Sequence, residues 1–144
     1  MVDSAARIPP NADILHKGRG KRIIAVSTRA PPETVRELEF VADIIITGDG
    51  EVDLGALMER LYAKGIRRLM VEGGGTLIGS LFAHGLVDEF CTFVGNMVIG
   101  GADAPTPADG AGFLVEEEFP RLSLISAEHM DEGVLLRWKV ARSP

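Results

Sequence analysis

Short apolar blocks alternate with helical stripes along the first two-thirds of this chain. Ile23-Ile24-Ala25-Val26-Ser27 is an apolar run of strand length behind the turn-rich Lys17-Gly18-Arg19-Gly20. Pro31-Pro32-Glu33 opens a helix, since proline and an acid both suit a first turn, and Val35, Leu38 and Val41 line one face of it. Ile44-Ile45-Ile46 is a second strand, closed by Thr47-Gly48-Asp49-Gly50. Asp53 stands as the N-cap of a helix striped by Leu54, Leu57, Met58 and Leu61 and stopped by Gly65. Arg68-Leu69-Met70-Val71 reads as a third strand, followed by Gly73-Gly74-Gly75 and a helix from Thr76 to His84 that Gly85 ends. Three strand–helix pairs in succession predict parallel strands joined by crossover helices.

Past Gly85 the texture changes. Residues 88–98 read as one long strand and 100–112 as a loop rich in Gly, Pro and Ala. Residues 122–129 and 134–140 form an antiparallel hairpin around Asp131-Glu132-Gly133. The pattern predicts a single α/β domain over 1–144, with a mixed sheet, no repeats and no internal boundary. Met1-Val2-Asp3-Ser4 looks like the end of a strand whose apolar body is absent, so the chain is expected to begin within a fold.

Composition narrows the function classes. A chain of 144 residues, 46% hydrophobic and 25% charged, has the profile of one globular domain. The net charge of −6 excludes a globally basic nucleic-acid binder, and 6% aromatics leave little for stacking on bases. Mean hydropathy is +0.16, yet no apolar run reaches the ~18 residues of a membrane span, and no secretory leader opens the chain. Cys91 is the only cysteine, so a disulfide framework is out; a reduced, cytoplasmic setting and a small buried thiol are expected. His16, His84 and His129 share no ligand spacing, so no metal site is expected, and His84 belongs with the carbonyls that end its helix. Ser4 and Ser80 lack a recognisable His and carboxylate partner, which leaves no catalytic nucleophile in view.

The strongest local chemistry is Val71-Glu72-Gly73-Gly74-Gly75-Thr76. Three residues without Cβ atoms where a strand meets a helix let a ligand approach backbone, and the helix start offers free N–H groups to a dinucleotide diphosphate. The spacing matches neither G-x-G-x-x-G nor a Walker A loop, and a tight turn needing glycine only for its dihedrals is the competing explanation. Glu72, at the strand's carboxyl end, either accepts hydrogen bonds from a heterocyclic substrate or caps its own helix. Ile99-Gly100-Gly101-Ala102-Asp103-Ala104-Pro105-Thr106, continuing through Asp109 to Phe113, reads more readily as a plain connection than as a site. Lys17 to Arg22 is a solvated basic loop before it is a phosphate site; Arg29 is the better candidate for a nucleotide's 2′-phosphate, and Glu116-Glu117-Glu118 is a solvated acidic run.

Taken together, Val71-Glu72-Gly73-Gly74-Gly75-Thr76-Leu77, Gly85-Leu86-Val87-Asp88-Glu89 and Ile99-Gly100-Gly101-x-x-Ala104-Pro105-Thr106 strongly resemble the reductase domain of riboflavin biosynthesis. The likeness is greatest to the archaeal 2,5-diamino-6-ribosylamino-4(3H)-pyrimidinone 5′-phosphate reductases, and extends to the C-terminal reductase domain of the bifunctional deaminase-reductase. Val2-Asp3-Ser4 and Arg7-Ile8-Pro9-Pro10-Asn11-Ala12 match in order, so the likeness spans 2–140. It implies a dihydrofolate-reductase-like mixed sheet, a homodimer, NADPH as cofactor and a phosphorylated pyrimidine whose ribosyl group becomes ribityl. By position it implies NADPH contacts from Ser4, Ala5, Ala6, Arg7, Ile8, Leu54, Gly74, Gly75, Thr76, Leu77, Ile78 and Gly79, with Glu72 facing the substrate; it assigns no catalytic residue. Two departures stand out. The family's first strands, with an Asp-Gly and a Gly-x-Gly-Thr motif, have no counterpart before Val2, and Asn96 replaces a common proline. Little or no reductase activity is therefore expected of these 144 residues alone, and a non-catalytic remnant keeping a nucleotide or dimer surface is the alternative.

Overall fold

In the computed structural model, residues 1–101 and 103–141 are described. They group into two compact units, 1–69 and 70 onward, each described by itself.

The first unit contains α1 (Asp13–His16), β1 (Ile23–Val26), α2 (Pro32–Glu39), β2 (Asp43–Ile46) and α3 (Leu54–Ala63). β1 and β2 run parallel in the register Ile23↔Asp43 to Val26↔Ile46, with α2 as the crossover. Val2 adds a parallel bridge to Ala25 on the other side of β1, so the opening residues do pair as a strand end. The core joins the apolar faces read from β1 and α2 to three residues the pattern did not single out as core, Ala6, Leu15 and Ala30. Ile24, Val26 and Leu38 are sealed from solvent, and Ala6, Leu15, Ala30 and Val35 complete the cluster. Val41 lies beyond the end of α2 and packs against that cluster. Asp53 caps α3 by accepting from the Ala56 amide at 2.9 Å, and Gly65 ends the helix in the left-handed region at φ +90°.

The second unit contains α4 (Gly75–Ala83), β3 (Glu89–Val94), a single 3₁₀ turn (Glu116–Glu118), β4 (Leu122–Met130) and β5 (Gly133–Val140). Its sheet is antiparallel, in the order β3-β5-β4. The hairpin turns where the sequence placed it, with Asp131 at φ +49°. Ile125 forms a bulge, because the register slips between Leu124 and Ser126. The α/β class with parallel and antiparallel strands is therefore present, as two separate sheets.

Three expectations need correction. The 68–71 run is irregular. A strand exists through its neighbours' hydrogen bonds, and among the described residues none pairs with it; Leu69 and Met70 stand exposed. The long strand over 88–98 stops at Val94, because its partner β5 begins at Gly133 and the ladder ends with Val94↔Val134. Cys91 is exposed. The period-two alternation of β3 turns Phe90 toward Phe82, ring centroids 5.3 Å apart, and places Cys91 on the opposite face.

Candidate functional site

Two groups of residues collect at the positions the sequence singled out, one in each unit.

In the first unit, the carboxyl ends of the parallel strands carry Asp3-Ser4, Ser27-Thr28-Arg29 and Thr47 to Glu51. Ser4 is the hub. Its Oγ donates to Glu51 Oε2 at 2.6 Å and accepts from the Val52 amide at 3.1 Å. Its carbonyl accepts from the buried Ser27 hydroxyl at 2.8 Å, and that hydroxyl also reaches the Gly50 carbonyl at 3.0 Å. Arg29 Nη2 meets Glu51 Oε1 at 3.1 Å, so the candidate 2′-phosphate cation is paired with a carboxylate. The Ser4 hydrogen bond first, and the Arg29 charge second, hold the Glu51 carboxyl below its ordinary range. The pair is largely exposed, so solvent screening leaves it little weight in stability. Asp3 closes the turn that follows by accepting from the Ile8 amide at 2.8 Å.

Of the residues assigned to the cofactor here, Ser4 and Ala5 are half-buried and Arg7 is exposed. Ala6 sits within the apolar core at φ +51°, so this position offers a ligand backbone only. Ile8 packs on the same core, and Leu54 is buried at the start of α3. The basic loop is otherwise engaged: Arg22 donates to the carbonyls of Lys17, Gly18 and Gly20.

In the second unit, the three glycines prove unequal. A Cβ on Gly73 would meet the side chains of Leu77, at 3.0 Å, and Val71, at 3.8 Å, and one on Gly74 would meet nothing within 4 Å. At Gly75 it would lie 2.1 Å from Asp109 Oδ2 and 2.9 Å from the Thr106 carbonyl; at Gly79 it would lie 1.9 Å from the Asp109 carbonyl. The turn at 106–110 therefore rests on the Gly75–Gly79 face of α4. Asp109 holds it there: its amide donates to the Gly75 carbonyl at 3.0 Å, and its Oδ1 accepts from the Thr106 amide at 3.3 Å and from the Thr106 hydroxyl. From its composition alone this loop reads as a plain connection. The one available signal was the four-residue spacing of Gly75 and Gly79, which puts both on one helix face.

The Leu77 and Ile78 amides both turn back to the Gly74 carbonyl, whereas those of Gly75 and Thr76 have no acceptor among the described residues. Open space at Gly74 beside two unpaired donors fits an anionic group. Gly75 and Gly79 do not offer the same opening. Leu77, Ile78 and Gly79 are partly buried along the helix. Glu72 is exposed just before it, and no side-chain cap bonds to α4. Next to the docked turn, Phe82, Phe90, Thr106, Pro107, Phe113 and Leu122 line an open apolar hollow of about 320 Å³.

His84 Nδ1 lies 2.8 Å from the Ser80 carbonyl, as the helix end predicts. Ser80 itself donates to the Thr76 carbonyl. No cluster of three metal-binding side chains occurs among the described residues, and no helix there is long and apolar enough to cross a membrane.

The family described as the RibD C-terminal domain matches residues 1–136. The 2,5-diamino-6-ribosylamino-4(3H)-pyrimidinone 5′-phosphate reductase of Archaeoglobus fulgidus is 50% identical over 114 residues, which is 79% of this chain and 52% of that protein. Its namesake from Methanothermobacter thermautotrophicus is 41% identical over 97% of this chain and 64% of its own length. The chain thus spans roughly half to two-thirds of these relatives. Among solved structures, a pyrimidine reductase-like protein from Corynebacterium diphtheriae superposes with a TM-score of 0.79 at 14% identity, over 99% of this chain and 60% of the other. Acinetobacter baumannii RibD gives 0.74 at 22% identity, over 97% of this chain and 36% of its own. At those identities the structures speak for the fold.

Proposed function

The chain belongs to the RibD C-terminal domain family, and on that premise we propose that it is the nucleotide-binding part of an NADPH-dependent reductase acting on a phosphorylated ribosylaminopyrimidine in riboflavin biosynthesis. The single observation that carries this reading is the Gly74 corner, where a backbone without Cβ and the unpaired amides of Gly75 and Thr76 face open space. Such an arrangement suits one anionic group of a dinucleotide. Bound NADPH would supply the hydride for the open imine form of the glycosylamine, with a proton taken up at nitrogen, so that the ribosyl group becomes ribityl. The chain's own part is to hold and orient two phosphorylated molecules and keep water from the reacting carbon.

Within that reading Thr76, Leu77 and Ile78 carry the helix start along the diphosphate, and Glu72 accepts hydrogen bonds from the pyrimidine's N–H groups. Ser4, Ala5, Arg7, Ile8 and the Ala6 backbone, with Leu54, are the first unit's candidates for a cofactor contact. Arg29 recognises the 2′-phosphate, exchanging Glu51 for it, which favours NADPH over NADH. A cytoplasmic homodimer is part of the same proposal. The alternative of a non-catalytic remnant gains nothing from the relatives, whose names are those of reductases.

The test is NADPH oxidation with the diaminopyrimidine substrate and with its deaminated counterpart, run beside NADPH binding by fluorescence. Binding by these 144 residues with little or no turnover, and turnover of one pyrimidine by a version extended to the length of its relatives, is the expected result; absence of binding by both ends the proposal. Gly74→Val fills the open corner and is expected to weaken NADPH at least about tenfold, since its branched side chain occupies the approach to the backbone.

A further inference from the structure

Asp109 lies outside every residue assigned to the cofactor, yet it makes the main contact with the glycine face of α4. Glycine inside a helix costs roughly 0.5–1 kcal/mol relative to alanine, and α4 opens on Gly75, behind Gly73 and the N-cap Gly74, and has Gly79 one turn on. A helix start of this composition is loose unless something fastens it. The 106–110 turn does so through the Asp109 amide on the Gly75 carbonyl, and by resting its own backbone where a Gly79 side chain would be. Thr106, bonded to Asp109 through both its amide and its hydroxyl, keeps the turn closed.

Resting on the nucleotide reading above, we propose that Asp109 is a positioning residue of the cofactor site. By seating the 106–110 turn on Gly75 and Gly79 it fixes the first turn of α4, holds the Gly75 and Thr76 amides ready for an anion, and leaves Gly74 as the only glycine of the three through which the anion approaches the helix start. Preorganised donors bind more tightly because their ordering is done before the ligand arrives. The Asp109 charge works against this, since a carboxylate beside an anion site repels the ligand. Clamp and charge are therefore separable. Asparagine keeps the acceptor that Thr106 needs and removes the charge, whereas alanine removes both.

The experiment is NADPH titration by fluorescence on the whole chain and on Asp109→Asn, Asp109→Ala and Gly74→Val, with amide hydrogen exchange followed over residues 103–112. Asp109→Ala is expected to weaken NADPH about tenfold and to lose protection at residue 109, as ordering costs return to the binding step. Asp109→Asn is expected to retain protection and to bind as well as wild type or about threefold more tightly, the gain shrinking as salt rises. Equal affinity in the alanine and asparagine variants overturns the positioning role. So does weakened binding in Asp109→Ala with residue 109 still protected, because the loss would not then act through the clamp. If Gly74→Val binds like wild type, the nucleotide reading itself fails; undetectable binding by wild type overturns both.

Discussion

Replacing Leu38 by alanine is expected to cost about 3 kcal/mol of folding stability, within the roughly 2–5 kcal/mol range for a buried leucine. Leu38 is 0% exposed and sits on α2 where Ile24 and Val26 of β1 meet Ala6, Leu15, Ala30 and Val35. Truncation removes the transfer free energy of its methyl groups and leaves a void that a short helix over a two-stranded sheet closes poorly. Urea unfolding should show a lower midpoint with an unchanged slope. Phe40, two residues on and 89% exposed, is the internal contrast: Phe40→Ala should change stability by no more than about 0.5 kcal/mol. If both variants lose equally little, the cluster is not the core. The loss at Leu38 also reaches the candidate site, because Ala6 and Ile8 rest on the same cluster and fix the backbone that follows Ser4.

Gly48→Ala is expected to cost about 3 kcal/mol by a different route. Gly48 has φ +74°, and a Cβ there would lie 2.1 Å from the Glu51 carbonyl and 2.7 Å from the Asp53 amide. The left-handed conformation alone costs about 1–2 kcal/mol for an L-residue, and an overlap with backbone adds about 1–3 kcal/mol. The turn cannot give way quietly, since it presents Glu51 to Ser4 and Arg29 and places Asp53 to cap α3. The variant should therefore lose nucleotide affinity as well as stability. Gly50, with nothing within 4 Å and no positive φ, is the control, and Gly50→Ala should be near neutral in both measurements. A Gly48 variant as stable as the Gly50 one would mean that the 47–53 turn is not held as described.

What the sequence made legible was local. The isoleucine runs of β1 and β2, the proline start of α2, the Asp53 cap and the Asp131 turn each depend on residues within a few positions of one another, and each occurs where the pattern put it. What escaped depended on partners distant in sequence. Leu69 and Met70 have the composition of a strand but no pairing neighbour among the described residues, and composition cannot supply one. β3 ends at Val94 because of where Gly133 begins its partner, a limit invisible in 88–98 itself. The exposure of Cys91 follows from which face of β3 is covered, which alternation alone does not state. At the glycine motif the residue types were legible, but their division of labour was not: the side chain that separates Gly75 from Gly74 arrives from position 109.

That contact also dictates how damage could be repaired. A methyl group at position 75 collides chiefly with the Asp109 carboxylate, whereas one at position 79 collides with the Asp109 main chain. Suppressors of Gly75→Ala should therefore include small residues at 109, with only the Thr106 carbonyl at 2.9 Å left to accommodate. No exchange of side chain at 109 can relieve Gly79→Ala, and its revertants should instead be changes in the length of the 106–110 segment.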